Sequence, residues 1–253
     1  MRFECIDYAC ITYDVINRKR TNQKAHMNHV ADTLQPAQPL VLHNYFRSSA
    51  AYRVRIAMNL KGLDYQYVPI HLTRNGGMQF QEPYKSLNPQ QLVPMLDDDG
   101  LHISQSLAII EYLDEKYPEL RLIPDTMEGR ARVRQIALAI SCDIHPLQNL
   151  RVLKYLTGTL ALSEEQKLGW IRHWLSAGLE ALEADLSHAP SKGNFCYGDS
   201  PTMADCALVP QLFSASRFDV DLSPYPTLRA IYTACEALPA FAAAHPSRQI
   251  DSE

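Results

Sequence analysis

The sequence predicts a small α/β domain followed by an all-α domain. Short apolar strands alternate with helical patterns early in the chain, in the order β-α-β-α-β-β-α. After a linker at Leu122-Ile123-Pro124-Asp125, every periodic segment has helical spacing. We therefore expect domains at residues 39–121 and 126–253, preceded by a poorly ordered extension over residues 1–38.

The first domain begins with a predicted strand over residues 40–45 and a helix over residues 49–61. A second strand over residues 65–70 follows, and the βαβ order predicts that the two strands are parallel with a right-handed crossover. A short helix near residues 79–86 comes next.

Two more strands are predicted over residues 91–96 and 101–103 because both segments are apolar. The residues between them, Asp97-Asp98-Asp99-Gly100, are typical of a hairpin turn. Ser104 is the expected N-cap of the next helix, which Tyr117-Pro118 ends.

The second domain opens with a helical pattern over residues 128–157, and Pro146 should kink this helix because proline lacks an N–H. A further helix is predicted over residues 163–187. Its expected core face consists of apolar residues at helical spacing: Trp170, Trp174, Leu175, Leu179 and Leu182.

A capping box marks the start of the next helix, with Thr202 as N-cap and Asp205 three residues later. Asp205 therefore has the pattern of a structural carboxylate that stabilises the helical domain. Two short helices, near residues 226–237 and 239–244, complete the prediction.

The composition argues against several classes of protein. The 253 residues carry 24 basic and 28 acidic side chains, a formal charge of −4, so nothing favours a nucleic-acid partner. No apolar run approaches the roughly 20 residues of a membrane helix. The nine histidines show no paired ligand spacing, so no metal site is expected. The six cysteines are irregularly spaced, which favours a reduced intracellular protein.

The segment around Arg47, Ser48 and Ser49 is the first candidate site. It links the first strand to the first helix, and a serine there can cap the helix. Free N–H groups and a partial positive charge at a helix N-terminus favour a thiolate or carboxylate, and Arg47 adds a full charge. An ordinary serine-capped helix is common, and on these residues alone it is the favoured interpretation.

Pro94 precedes an apolar strand, where proline removes a hydrogen-bond donor from the ladder. A cis peptide bond and a trans proline at a sheet edge both remain open.

The chain resembles the glutathione S-transferases, and within them the zeta class of maleylacetoacetate and maleylpyruvate isomerases. The resemblance covers residues 39 to about 250. It is carried by the segments Phe46-Arg47-Ser48-Ser49, Arg53-Val54-Arg55-Ile56-Ala57, Leu87-Asn88-Pro89-Gln90, Val93-Pro94, Gln105-Ser106-Leu107-Ala108-Ile109-Ile110-Glu111-Tyr112-Leu113, Pro146-Leu147-Gln148-Asn149-Leu150, Val209-Pro210-Gln211 and Pro224-Tyr225-Pro226.

This resemblance implies a thioredoxin-like first domain that binds glutathione as the cofactor. Ser48 and Ser49 would lie at the glutathione sulfur and be the catalytic pair. The other implied cofactor-binding residues are Gln79, Val93 with the cis-proline Pro94, Gln105, Ser106, His145, Asn149 and Arg151.

The substrates of such enzymes carry carboxylates, so the resemblance also implies arginines that bind them. Arg47, Arg151 and Arg217 match such positions, although surface ion pairs would explain each of them too. Many members have cysteine where this chain has Ala50, so the thiol nucleophile must come from glutathione.

The function implied by the resemblance is cis–trans isomerisation of maleylacetoacetate to fumarylacetoacetate in the breakdown of tyrosine, phenylalanine or related aromatic compounds. A maleylpyruvate isomerase of gentisate breakdown, a general glutathione transferase or dehalogenase, and a non-catalytic glutathione-binding module are the alternatives. A small-molecule diacid substrate, a homodimer and a cytoplasmic location are expected, with no nucleic-acid or membrane partner.

Overall fold

The structure, a computed structural model, describes residues 39–191 and 193–253. The extension expected at residues 1–38 lies outside the described residues. Four strands form one mixed sheet in the order β2-β1-β3-β4. They are β1 (Leu40–Asn44), β2 (Tyr65–Pro69), β3 (Met95–Asp98) and β4 (Leu101–Ser104).

The central strand β1 sets the register of the sheet. It runs parallel to β2, with Leu42 opposite Tyr67, and antiparallel to β3, with Leu42 opposite Leu96. Leu42 and Leu96 have no solvent exposure. The parallel pairing predicted from the βαβ order is therefore confirmed.

Nine α-helices lie among the described residues, in the predicted order. They are α1 (Ser49–Leu60), α2 (Tyr84–Leu87), α3 (Ser106–Lys116), α4 (Met127–Leu138), α5 (Leu150–Gly158), α6 (Glu164–Ser187), α7 (Met203–Arg217), α8 (Pro226–Glu236) and α9 (Pro239–Ala244). None of them is both long and apolar enough to cross a membrane.

The strand predicted over residues 91–96 begins only at Met95. Gln91 has a φ of 56°, outside the strand region, and Pro94 cannot donate to the ladder. The strand instead continues through Asp97 and Asp98, which were predicted to be turn residues. The turn is formed by Asp99 and Gly100, at φ 54° and 86°.

The predicted cap of α3 was wrong by one residue. The helix begins at Ser106, and the residue before it is Gln105, with a φ of 74° and no capping hydrogen bond from its side chain. Ser104 is the last residue of β4 instead. The short helix predicted near residues 79–86 is also divided, into a 3₁₀ turn at Met78–Phe80 and α2.

The helix predicted over residues 128–157 is broken more severely than a proline kink requires. After α4 the chain forms a π-helical turn at Ala139–Ile144 and a 3₁₀ turn at His145–Gln148, which contains Pro146. Asn149 then caps α5 as a separate helix, with its side chain accepting from Arg151 N at 3.1 Å. This break exposes main chain and side chains to the interdomain cleft.

The predicted core face of α6 is correct for its leucines but wrong for Trp174. Leu175, Leu179 and Leu182 are buried, whereas Trp174 is 38% exposed. Trp174 packs edge-on against Trp170, at 5.8 Å between ring centroids. Helical spacing alone could not show that no other described element covers Trp174 on this side of α6.

Helix α1 lies at the centre of the molecule. Its residues from Ala51 to Met58 are all buried, and it packs against α3, α7 and α9. A helix that is buried all round needs neighbours on every side, so α1 ties the sheet to the helical region.

The capping box predicted at the start of α7 is confirmed. Asp205 has no solvent exposure and accepts from Thr202 N at 2.8 Å, from Thr202 Oγ1 at 2.9 Å and from Cys196 N at 2.8 Å. One carboxylate therefore satisfies three buried donors from two segments of the chain.

We expect Asp205→Ala to lower the free energy of unfolding by about 3 kcal/mol, because it leaves three buried donors without an acceptor. Denaturant unfolding of the purified variant would measure this. Asp221 is the matched control, since it accepts from Ser223 N and Oγ in an exposed loop. Asp221→Ala should leave the free energy of unfolding nearly unchanged. Equal losses for the two variants would contradict the structural role of Asp205.

Candidate active site

A cleft of about 600 Å³ lies between the sheet and the helical region. Its walls come from the start of α1, the segment before β3, the N-terminus of α3, the broken helix and the end of α7. All twelve residues predicted for the site line this cleft: Arg47, Ser48, Ser49, Gln79, Val93, Pro94, Gln105, Ser106, His145, Asn149, Arg151 and Arg217.

Ser48 is the N-cap of α1, as the sequence predicts. Its Oγ accepts from Ala51 N at 3.2 Å, so its hydroxyl proton remains available for another acceptor. The first turn of α1 contains no acidic side chain. The positive end of the helix is therefore free to stabilise an anion from outside the chain.

A buried arginine, Arg55, stabilises the loop before Ser48 through hydrogen bonds. The Arg55 side chain has no solvent exposure and donates to Phe46 O at 2.9 Å and to Tyr45 O at 3.4 Å. The carboxylate of Asp251 also contacts this loop, because it accepts a hydrogen bond from Phe46 N at 3.1 Å. These contacts fix the backbone that carries Arg47 and Ser48.

A second helix N-terminus, that of α3, faces the same cleft. Ser106 is its first residue and is nearly buried. The Gln105 side chain does not cap the helix and donates instead to Gln90 Oε1 at 2.8 Å. This terminus can receive a carboxylate.

Gln79 brings a buried amide into the cleft wall. Its Nε2 donates to Leu72 O at 3.3 Å, while its Oε1 has neither exposure nor a partner among the described residues. Gly77 lies beside this side chain with a φ of 109°, a backbone conformation that favours glycine, and a Cβ there would lie 2.8 Å from both amide heteroatoms. The unpaired oxygen is an acceptor for a ligand N–H. Nearby, the Val93–Pro94 peptide bond is cis, as the resemblance implied.

His145 lies on the opposite wall. Its Nδ1 has no solvent exposure and no hydrogen-bond partner within the described chain. Burial, together with the positive charge of nearby Arg53, lowers the pKa of His145 to about 3. The imidazole is therefore neutral at physiological pH.

Arg47 and Arg217 both line the cleft, close enough for their charges to interact. Burial lowers the pKa of Arg217, and the Arg47 charge lowers it further. Each guanidinium lies over a neighbouring aromatic ring, Arg47 at 5.0 Å from the Phe46 centroid and Arg217 at 5.3 Å from that of Phe218. Neither forms an ion pair with a described residue, which leaves both available to a carboxylate.

The lining residues that the sequence reasoning missed include three with chemically reactive or charged side chains: Arg53, Cys142 and Lys154. Lys154 could have been found, because it lies three residues after Arg151 and so on the same face of α5. Arg53 was visible in the motif but not recognised as part of the site, because its helical pattern predicts a core position. Cys142 lies on the π-helical turn, which no pattern predicted. Ala50 also lines the cleft and brings no nucleophile.

The charge of the cleft is opposite to that of the protein. Among the described residues, five cationic side chains line it and no aspartate or glutamate does; the five are Arg47, Arg53, Arg151, Lys154 and Arg217. The chain as a whole has a formal charge of −4. A cationic concave surface of this kind concentrates small anions.

Two family models match parts of this chain. Residues 42–121 match the glutathione S-transferase N-terminal domain and residues 170–242 match the glutathione S-transferase C-terminal domain. A probable maleylacetoacetate isomerase of Vibrio cholerae is 50% identical over 213 residues, which are 84% of this chain and 98% of that protein.

Two solved structures are similar throughout. The holo structure of a maleylpyruvate isomerase, a bacterial glutathione S-transferase of the zeta class, has a TM-score of 0.81 at 47% identity and covers 84% of this chain and 100% of its own. A maleylacetoacetate isomerase of Methylobacterium extorquens AM1, with malonate and glutathione bound, has a TM-score of 0.81 at 39% identity, covering 84% and 99%.

His145 should make the stability of the protein depend on pH. Its folded pKa of about 3 lies below the ordinary value of 6.5, so between these values only the unfolded chain takes up the proton. The free energy of unfolding should therefore fall as the pH drops from about 6.5 towards 3, with no contribution from this group above pH 6.5. His145→Gln removes this term and should flatten the decline, as measured by urea unfolding at several pH values. The same change at the exposed His188 is the control, and identical slopes for wild type and His145→Gln would refute the assignment.

Proposed function

This chain belongs to the glutathione S-transferase family, in its zeta class, and on that basis we propose that it is a glutathione-dependent cis–trans isomerase acting on maleylacetoacetate. The observation that carries the proposal is the cleft: within the part of the chain that the structure describes, it has a free helix N-terminus, a pair of arginines without ion-pair partners and no acidic lining residue. This combination suits a thiolate and a dicarboxylate held together.

The residues of the cleft fit glutathione, which carries a thiol, amide groups and carboxylates. Its volume of about 600 Å³ is within the usual range for a small-molecule site. The unpaired Gln79 Oε1 can accept from an amide N–H, and the N-terminus of α3 can receive a carboxylate. Bound glutathione supplies a thiolate that adds to the double bond, permits rotation about the resulting single bond and is released unchanged.

Ser48 and the start of α1 favour the ionised thiol. A free thiol has a pKa of about 8.5 and is mostly protonated at neutral pH. The Ser48 hydroxyl can donate to the sulfur, and the helix terminus adds a partial positive charge. Both effects stabilise the thiolate relative to the thiol and so lower its pKa.

Arg47 and Arg217 hold the substrate. Addition to a carbon–carbon double bond conjugated with a carbonyl places negative charge on the carbonyl oxygen, and a nearby guanidinium stabilises that charge. The same pair can bind a terminal carboxylate, while Arg151 and Lys154 on α5 add positive charge at the rim. Maleylpyruvate is the second candidate substrate, because the structure of an isomerase for it is among the most similar.

We propose separate domains at residues 39–121 and 126–253, as the break in pattern after the sheet suggests. A homodimer would cover apolar side chains such as Leu101, Leu120 and Met127, which are half exposed or more. A cytoplasmic location suits a thiol cofactor and the free cysteines Cys142, Cys196, Cys206 and Cys235.

Turnover beyond the glutathione supplied is the test of isomerase activity. With maleylacetone in large excess over glutathione, we expect every substrate molecule to be isomerised, because the thiol is regenerated. Formation of a stoichiometric adduct would indicate a transferase instead, and no reaction would indicate a binding module. Parallel assays with maleylpyruvate and maleylacetoacetate would rank the two substrates by kcat/KM.

In the same assay, Ser48→Ala should lower kcat about 100-fold, since it removes the hydroxyl that stabilises the thiolate. Ser163→Ala is its control, because Ser163 caps α6 in a similar way. Full activity in Ser48→Ala would exclude the role given to this serine.

Replacement of Arg217 by alanine should raise KM for the diacid about tenfold or more and leave the Kd for glutathione within about twofold. Steady-state kinetics and calorimetric titration with glutathione would measure the two constants. Arg132→Ala, which breaks a surface ion pair with Asp185, is the matched control. An unchanged KM in Arg217→Ala would remove this residue from the substrate site.

A further inference from the structure

Two arginines that are two residues apart on α1 are both buried, but their hydrogen bonding differs. Arg55 donates from all three nitrogens: Nε to Ala244 O at 3.1 Å, Nη1 to Asn44 Oδ1 at 3.0 Å, and Nη2 to Phe46 O at 2.9 Å. This is the usual condition of a buried guanidinium, since unsatisfied donors away from water are costly.

Arg53 is only 2% exposed and is paired through one nitrogen. Its Nη1 donates to Ser106 Oγ at 3.2 Å, while Nε and Nη2 have no partner among the described residues. Of its titratable neighbours, His145 is neutral and Cys142 is a thiol on the π-helical turn. None of the ion pairs in the described chain includes Arg53.

The one hydrogen bond that Arg53 forms determines which further hydrogen bonds Ser106 Oγ can form. A hydroxyl has one proton to donate and two lone pairs to accept with, and Arg53 uses a lone pair of Ser106 Oγ. The proton of Ser106 is thus left for a different acceptor. Since Ser106 is the first residue of α3, with no capping side chain, that acceptor can also reach the free N–H groups of the helix.

We propose that Arg53 is a positioning residue for the carboxylate of the γ-glutamyl unit of glutathione. It orients the Ser106 hydroxyl towards the cleft and places a buried positive charge behind it. A carboxylate oxygen that accepts from Ser106 Oγ at about 2.7 Å lies within about 6 Å of the Arg53 guanidinium, where opposite charges attract strongly.

This inference rests on the proposed use of glutathione and goes beyond it, because it concerns a residue that acts through Ser106. A buried guanidinium whose charge no described carboxylate neutralises is costly to the folded protein. A ligand carboxylate at the α3 terminus would supply the missing negative charge. Arg53 should therefore contribute to affinity for that carboxylate and much less to the chemistry at the sulfur.

The test compares ligands with and without this carboxylate, and proteins with and without the arginine. Calorimetric titration would compare glutathione with 4-aminobutanoyl-cysteinylglycine, which lacks only that carboxylate. We expect Arg53→Met to weaken glutathione binding about tenfold or more, and to change binding of the analogue less than about threefold. In wild type, the analogue should already bind about as weakly as glutathione binds to Arg53→Met.

Arg55→Met is the matched control for the loss of a buried arginine from the same helix. Since Arg55 supports the loop before Ser48, its replacement should weaken binding of both ligands by a similar factor and lower the melting temperature. Circular dichroism and thermal unfolding would confirm that each variant is folded.

Ser106→Ala gives a second measurement that does not depend on the folding of Arg53→Met. It should show the same selectivity, weakening glutathione but not the analogue, and the double variant should be little worse than Arg53→Met alone. Equal weakening of both ligands by Arg53→Met or by Ser106→Ala would overturn the positioning role while leaving glutathione as the cofactor. Absence of glutathione binding to wild type would instead overturn the proposed function, and this inference with it.

Discussion

The site depends on the hydrogen bonds of one buried guanidinium, that of Arg55. Its nitrogens join the end of β1, the loop before α1 and the last residue of α9. Each of these segments would otherwise have an unpaired carbonyl in the interior. Because a guanidinium has five donors in a fixed plane, it can set the positions of several acceptors at once. The place where Ser48 lies relative to the helical region follows from this contact.

The cleft that results collects positive charge and leaves it unpaired. Elsewhere in the described chain, arginines such as Arg132 and Arg134 form ion pairs with nearby carboxylates. In the cleft, Arg47 and Arg217 have no such partner, although acidic residues outnumber basic ones in the chain. Unpaired cations held close together cost stability in the absence of an anion, so their arrangement is best explained by a ligand that neutralises them.

Much of the fold and of the candidate site could be predicted from the sequence, because short-range sequence patterns determine many of its elements. The serine cap of α1, the capping box at Asp205 and the order of strands and helices each follow from a few adjacent residues. The predictions failed where tertiary contacts determine the backbone conformation or the exposure of a side chain. The exposure of Trp174, the left-handed backbone of Gln105 and the π-helical turn after α4 depend on neighbours distant in sequence. Arg53 illustrates the same limit of sequence-based prediction. A buried core arginine and an arginine that lines a cleft can have the same sequence pattern, and only their contacts in the structure distinguish them.

The same contacts explain why the nucleophile can come from a bound ligand rather than from the protein. The chain presents serine hydroxyls and helix termini at the start of α1, with Ala50 where a cysteine is common in the class, and the nearby imidazole of His145 is neutral. These groups stabilise an anion but are poor nucleophiles at neutral pH. A protein thiolate next to Ser48 would also compete with a ligand thiolate for the same hydroxyl proton and helix terminus. A cleft whose cationic side chains, serine hydroxyls and helix termini favour an external anion therefore needs to bind and orient that anion rather than to supply a nucleophile of its own.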